Sequence, residues 1–430
     1  MTLNDLDLEV PKLGECRITS PMSSTDFVDD GERVLLHSTL REAEAFLKTD
    51  RKLKCFEMAG PREKIYFDPS KLKCGIVTCG GICPGLNDVI RAIVLSLHHH
   101  YKVGTVFGFR YGYEGLSPAY RHPPVELGLK EVHDIHTKGG TILGSSRGPQ
   151  DVVEMVDTLE RMNIGMLFTI GGDGTLRGGQ AIYEEIGRRG LKISVIGIPK
   201  TIDNDISYVD QSFGFETAVA ETRTAIYSAH VEAHGARNGI GLVKLMGRES
   251  GFIAAHATLA SSDVNFCLVP EVDFGLEGFL SSLRERLETR RHAVIVVAEG
   301  AGQVLFEKRG ERDPSGNLRF KDIGIFLRDQ IRSYFKKEVG LKITLKYIDP
   351  SYTIRSRPAN PHDSVFCLLL GHCAVHAGMT GRTNMLVGYW NGEYTHVPIP
   401  LAVSKRKHIN PEGRLWSSVL ESTGQTREIV

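Results

Sequence analysis

From Lys71 onward, short apolar runs alternate with stretches whose apolar residues recur every three or four positions, and glycine-rich turns separate them. Residues 74–78, 105–109, 166–170, 194–198, 239–245, 265–269, 293–297, 343–348 and 385–388 are the apolar runs, and they predict strands. Residues 87–97, 150–162, 176–188, 216–233, 250–260, 276–290, 323–339 and 363–376 carry the helical period. Strands that alternate with helices predict βαβ units around mostly parallel sheets. Residues 1–70 break this rhythm, with Pro11, Gly14, Pro21, Gly60 and Pro61 interrupting them and one helical patch over 39–47 that puts Ala43, Phe46 and Leu47 on a face. Residues 309–319 (RGERDPSGNLR) are polar and breaker-rich and predict an exposed loop.

So many strands need two sheets. The expected class is α/β: two Rossmann-like three-layer domains plus an N-terminal extension that packs on the main body or on a neighbouring subunit. A boundary is expected near residues 201–205, with the chain recrossing between domains near its C-terminus. The resulting segments are 1–70, 71–205, 206–380 and 381–430.

The 430 residues are too many for one core and fit two or three domains. Lys+Arg and Asp+Glu balance at 52 each, so no global field attracts nucleic acid or an acidic membrane. The start, MTLNDLDLEV, is acidic where a signal peptide needs bases, and no apolar stretch reaches bilayer length. A cytoplasmic enzyme is expected, with neither nucleic acid nor membrane as partner. Of the eight Cys, Cys74, Cys79 and Cys83 lie close together, but without a CxxC pair or a zinc-spaced His they read as reduced, buried thiols.

In folds of this class, ligands bind beyond the carboxyl ends of strands, so the chemistry is sought in the turns. The first is CGGICPGLN (79–87), where Gly80 and Gly81 let backbone approach a ligand and Asn87 can cap the next helix. A tight structural turn explains it equally well. The second is GGDGT (171–175). Amides of Gly172, Gly174 and Thr175 can cradle phosphate oxygens, and Asp173 can hold Mg²⁺ together with those phosphates. An Asp that merely caps the helix would not need so many Gly. The third is PKTIDND (199–205), in which Asp203 and Asp205 lie beside Lys200 and Thr201. A hydroxyl attacking a phosphoryl group needs a carboxylate to orient it and take its proton, and a surface turn would rarely follow so apolar a strand. The fourth is KLMGRESG (244–251), where Arg248 can hold a sugar phosphate or pair with Glu249. Glu299 and the Tyr352–Arg355 stretch end two further strands and read alone as solvated positions.

Taken together, CGGICPGLN, TKGGTILGSSRG (137–148), GGDGT, PKTIDND, KLMGRESGF, VPEV and VVAEG resemble the 6-phosphofructokinase family, from about Lys71 to beyond Gly381. GGDGT alone also marks nicotinamide-dinucleotide and diacylglycerol kinases, and PKTIDND at this spacing separates the chain from them. KYIDPSYTIRS and the long N-terminal segment are similar to the plant and trypanosomatid branch. The resemblance implies phosphorylation of fructose 6-phosphate at its 1-hydroxyl, with ATP as donor and Mg²⁺ as cofactor, in a homo-oligomer (dimer or tetramer). It makes 71–205 the donor domain and 206–380 the sugar-phosphate domain. Gly81, Arg147, Gly148, Gly172, Asp173, Gly174 and Thr175 then match the ATP-phosphate site, with Asp173 the metal ligand. Asp203 matches the base, with Thr201 and Ile202 beside it and Asp205 in support. Met246, Gly247, Arg248, Glu299, Tyr352 and Arg355 match the sugar-phosphate site.

The chain departs from the short bacterial type at Gly239, where an arginine reaches a neighbouring subunit's sugar phosphate; Arg237 is close by. Lys346 stands in place of a second arginine and Tyr352 in place of a histidine. Two positions bear on the donor. In pyrophosphate-using members a carboxylate commonly replaces the Gly at 174 and a Lys stands at 200. Gly174 leaves room for a nucleotide's α-phosphate, whereas Lys200 can contact a terminal phosphate of either donor or only balance Asp203 or Asp205. Bulk and charge exclude a ligand more firmly than one added cation attracts it, so ATP is expected. A pyrophosphate-dependent phosphotransferase and a catalytically silent regulatory subunit remain as alternatives.

Overall fold

The computed structural model describes residues 7–23, 26–48, 53–306 and 320–427. The polar stretch 309–319 lies outside them. The fold is α/β, and the chain forms two compact units. The first comprises residues 1–201, 206–214 and 357–406; the second comprises 202–205, 215–356 and 407–430.

The first unit is built on a nine-stranded sheet in the order Arg33–Leu35, Cys55–Met58, Glu393–Pro398, Met385–Trp390, Ser194–Pro199, Met166–Gly171, Lys73–Thr78, Thr105–Phe109 and Val125–Glu126. From Met385–Trp390 to Thr105–Phe109 all neighbours run parallel. Every residue of Met166–Gly171 and Ser194–Pro199 is buried, as expected of parallel strands covered by helices on both faces. Both ends of the sheet are antiparallel. Met385–Trp390 turns into Glu393–Pro398 through Asn391 and Gly392, both with positive φ (51° and 89°), the two-residue turn whose twist matches a hairpin.

Residues before Lys71 therefore join the sheet rather than only resting on it. A charge network around the buried Arg382 fastens them, with Asp30 at its exposed edge. Arg382, whose side chain is 2% exposed, donates to Glu57 (2.7 Å) and Asp30 (3.0 Å), and Arg62 donates to Asp30 at 3.0 Å. Removing one partner from such a network leaves a buried charge uncompensated, which costs about 3–5 kcal/mol.

The second unit holds a four-stranded, wholly parallel sheet in the order Phe266–Leu268, His292–Ala298, Gly239–Leu245 and Thr344–Ile348. Helix Phe215–Gly235 packs across it, and Leu276–Arg290 and Ile323–Tyr334 bury Phe279, Leu283, Leu327 and Ile331 in its core. The period over 323–339 continues past Tyr334 as a π-helical turn, Phe335–Val339, and stops at Gly340 (φ 66°).

The units differ from the expected segments first around residue 205, since residues 202–205 fall in the second unit and 206–214 in the first. Helix Pro361–Met379 belongs to the first unit, where it packs on helix Leu86–His99 and strand Ser194–Pro199, so the chain returns near Arg357 rather than after 380. It crosses again at Lys407. No helix among the described residues is long and apolar enough to cross a membrane.

Candidate functional site

In the first unit three turns follow the carboxyl ends of adjacent strands and are stitched to one another. Strand Lys73–Thr78 leads into Gly80 (φ 86°), whose amide donates to Ser146 O (2.9 Å) and whose carbonyl accepts from Ser145 Oγ (2.6 Å). The loop bearing Arg147 and Gly148 is thereby held against the first glycine turn. Arg147 is exposed, and Gly148 has a positive φ of 98°. Asn87 does not cap the helix. Gly85 occupies the N-cap position (φ 94°) and no side chain caps the helix, while Asn87 is buried and bridges Lys138 O (3.0 Å) and Ile142 N (2.9 Å). A side-chain amide offers a donor and an acceptor, and here both hold the 137–148 loop.

The second turn opens helix Asp173–Arg188. Gly172 is its N-cap residue, and no side chain caps the helix. Thr175 N donates to Gly172 O at 2.9 Å, which leaves the amides of Asp173 and Gly174 as the ones such a helix start can offer an anion. Gly171 is required by packing, because a Cβ there would meet Thr175 Oγ1 at 2.1 Å; a Cβ on Gly174 would meet nothing within 4 Å. Gly in a helix costs about 0.8–1.0 kcal/mol relative to Ala, so the open space at 174 is kept against the helix's own preference. Thr175 is buried, and its carbonyl accepts from the buried Tyr113 hydroxyl at 2.6 Å. Asp173 Oδ2 accepts from Arg177 Nε at 3.0 Å, a partner one helical turn along that the motif reading passed over.

The third turn begins at Lys200, which is 5% exposed, and whose Nζ donates to Gly81 O at 2.6 Å. Its backbone amide bonds Gly171 O at 3.0 Å. Lys200 thus ties the first two glycine turns together, its ammonium bonding one and its backbone amide the other. Thr201 is half-buried, and its carbonyl accepts from Ser212 Oγ at 2.7 Å.

Residues 202–205 go with the second unit. Ile202 is buried, Asp203 and Asp205 are half-buried, and Asn204 between them has φ 52°, a left-handed conformation that Asn tolerates better than most residues. The carbonyl of Asp203 accepts from Ser250 Oγ (2.9 Å), and that of Asp205 from Lys407 N (2.8 Å). The segment after strand Gly239–Leu245 carries half-buried Met246 and Arg248 with buried Gly247 (φ 130°) between them. A Cβ on Gly247 would meet Ser250 O at 2.6 Å, and one on Gly300 would meet Arg248 O at 1.7 Å, so both glycines let backbones touch. The Arg248 guanidinium lies 5.1 Å from the Phe320 ring centroid.

Burial pushes the Glu299 carboxyl above the usual range, while Arg248, Lys244 and Arg355 pull it down and Asp349 pushes it up. Lys244 and Arg248 lie at the end of strand Gly239–Leu245, Glu299 follows His292–Ala298, and Arg355 follows Thr344–Ile348. Lys244, which the motif reading did not single out, bridges Asp322 (2.7 Å) and Asp349 (2.9 Å), and these carboxylates outweigh burial and raise its pKa. Tyr352 is 63% exposed, with the Arg355 guanidinium 4.7 Å from its ring centroid.

The departures from the bacterial pattern have a structural basis. At Gly239 a Cβ would meet Ala233 O at 2.0 Å, so helix Phe215–Gly235 leaves no room for an arginine. Arg237 is exposed, and Lys346 pairs with Glu232 at 3.3 Å. All eight cysteines are free thiols, and burial pushes Cys79, Cys267 and Cys373 up to about 12.

A family model described as phosphofructokinase matches residues 73–378. The chain belongs to the phosphofructokinase family. It is 51% identical to an ATP-dependent 6-phosphofructokinase of Borreliella burgdorferi, over 98% of this chain and 97% of that one. It is 48% identical to a protein of the same description from Amycolatopsis methanolica (100% and 97%), and 49% identical to one from Trypanosoma cruzi (85% and 76%). Among solved structures it resembles a pyrophosphate-dependent phosphofructokinase from Marinobacter aquaeolei (TM-score 0.67, 18% identity, 82% of this chain and 91% of that one). At that identity the likeness concerns the fold alone.

Proposed function

We propose that the protein transfers the terminal phosphoryl group of ATP to the 1-hydroxyl of fructose 6-phosphate, giving fructose 1,6-bisphosphate. The observation that carries this reading is the uncapped helix start at Gly172–Asp173 with open space at Gly174, in a chain about half identical over nearly its full length to proteins described as ATP-dependent 6-phosphofructokinases.

Amides at the start of helix Asp173–Arg188 bind donor phosphate oxygens, and Gly81, Gly172 and Thr175 keep the backbone close to them. Gly148 lets its loop turn toward the donor, and Arg147 on that loop has a guanidinium available for the transferring group. Mg²⁺ fits Asp173, since proteins commonly hold this cation through one or two carboxylates together with substrate phosphates. When bound with the nucleotide, it would neutralise charge developing on the phosphates.

Asp203 takes the proton of the 1-hydroxyl, Thr201 and Ile202 line the same turn, and Asp205 supports it. Arg248 and Arg355 hold the 6-phosphate, with Met246, Gly247, Glu299 and Tyr352 around the sugar. These groups act through position and electrostatic field and form no covalent intermediate. The protein acts in the cytoplasm as a homo-oligomer.

The test is turnover of fructose 6-phosphate with Mg²⁺ and either ATP or pyrophosphate, in parallel. Turnover with ATP is expected. Turnover with pyrophosphate alone would make Lys200 the better guide to the donor. A folded sample inactive with both would favour a regulatory subunit.

A further inference from the structure

The carboxylate assigned to the metal does not stand alone. Asp173 is the first residue of its helix, and Arg177 lies one turn later on the same face. Nε of Arg177 donates to Asp173 Oδ2 at 3.0 Å, and Nη2 of the same guanidinium donates to Val403 O. That carbonyl belongs to a residue 3% exposed, just past helix Ile399–Ala402 and 226 positions further along the chain. An exposed i,i+4 pair held by nothing else samples many geometries. Here the guanidinium is anchored at its far end by a buried backbone group, so it presents a fixed donor to the carboxylate. One oxygen of Asp173 is thereby engaged, and Oδ1 is left to a further ligand.

Carboxylates that ligate metals are commonly oriented by such outer hydrogen bonds, and losing the partner typically costs 10–100-fold in metal affinity or activity. We propose that Arg177 is a positioning residue for the metal site, fixing Asp173 through Oδ2 so that Oδ1 meets the cation carried by the donor nucleotide. The inference rests on the reading of Asp173 as the metal ligand.

The experiment measures Mn²⁺ binding, by electron paramagnetic resonance, to the full-length protein with the β,γ-imido analogue of ATP. Wild type, Arg177→Ala, Arg177→Lys and Asp173→Asn are compared, with a thermal melt of each. Arg177→Ala should weaken Mn²⁺ binding about 10–100-fold, and Arg177→Lys should recover part of the loss. In steady-state assays the free-metal concentration giving half-maximal rate should rise by a similar factor, while kcat at saturating metal falls much less. Equal or tighter Mn²⁺ binding by folded Arg177→Ala would overturn the proposal, because removing a nearby cation without loss of orientation favours a metal. If Asp173→Asn binds Mn²⁺ like wild type, the metal-ligand reading falls and this inference with it. If Asp173→Asn loses the metal and Arg177→Ala does not, only the positioning role is lost.

Discussion

Replacing Gly174 by Asp puts a carboxylate where the donor phosphates are read to bind, and the structure indicates that the fold will accept it. A Cβ there meets nothing within 4 Å, and the position is exposed in the first turn of a helix. Glycine is the poorer helix former by a few tenths of a kcal/mol, and an acid in the first turn gains about 0.3–1 kcal/mol from the helix dipole. The melting temperature should therefore hold or rise. Against this stands repulsion between the new carboxylate and a phosphate about 4–5 Å away, about 3–4 kcal/mol at an effective dielectric constant of ~20. Exposure of the site reduces that figure, to about 1–3 kcal/mol with solvent screening. At about 1.4 kcal/mol per factor of ten, kcat/KM for ATP should fall by roughly 10- to 100-fold. The assay is initial rate against MgATP at saturating fructose 6-phosphate, with Gly174→Asn as a neutral control of similar size. Asn should lose clearly less than Asp if charge dominates. A folded Gly174→Asp enzyme whose kcat/KM stays within about threefold of wild type would refute the placement of the donor phosphates.

Asp203→Ala should lower kcat by about 10²–10⁴ with little change in KM for ATP, and near-normal turnover would remove Asp203 as the base. Gly300→Ala forces a Cβ to within 1.7 Å of Arg248 O, so the Arg248 loop must move; KM for fructose 6-phosphate should rise by about tenfold or more while ATP-analogue binding, followed by calorimetry, persists. Acid should weaken the first unit before ordinary carboxylates titrate. Burial lowers His376 to about 3 and His396 to about 4, so both are neutral when folded, whereas an unfolded chain protonates them near 6.5. The unfolded state then binds more protons below pH 6.5: stability is complete above that pH, falls as pH drops, and levels off near 3–4. Urea melts at pH 7, 5.5 and 4.5 should show a loss on the order of 1 kcal/mol per pH unit for each group, and His376→Gln should flatten the profile.

The central elements were legible because their physics is local. Buried parallel strands read as unbroken apolar runs, so 105–109 and 239–245 coincide with Thr105–Phe109 and Gly239–Leu245, and 276–290 with helix Leu276–Arg290. The edge strand Arg33–Leu35 and its neighbour Cys55–Met58 were not legible, being short and defined by pairing partners distant in sequence. The hairpin at Met385–Pro398 did carry a local signal, Asn391-Gly392, that the apolar-run reading did not use.

For the site, the sequence by itself determined the chemistry: which turns are glycine-rich, which hold carboxylates, and that each follows a strand. Spacing within a turn is a property of neighbours, so Asp173 among its glycines and Asp203 with Asp205 were visible at once. Only the tertiary structure decided what each group touches. Lys200 reaches Gly81 O from 119 residues away, Arg177 finds Val403 O, and Lys244 is claimed by Asp322 and Asp349. It also separated two kinds of glycine that look alike in sequence. Gly171, Gly239 and Gly300 are required because a Cβ would strike other atoms, whereas Gly174 faces open space. A contact between distant segments depends on how the whole chain packs, and no local pattern encodes it.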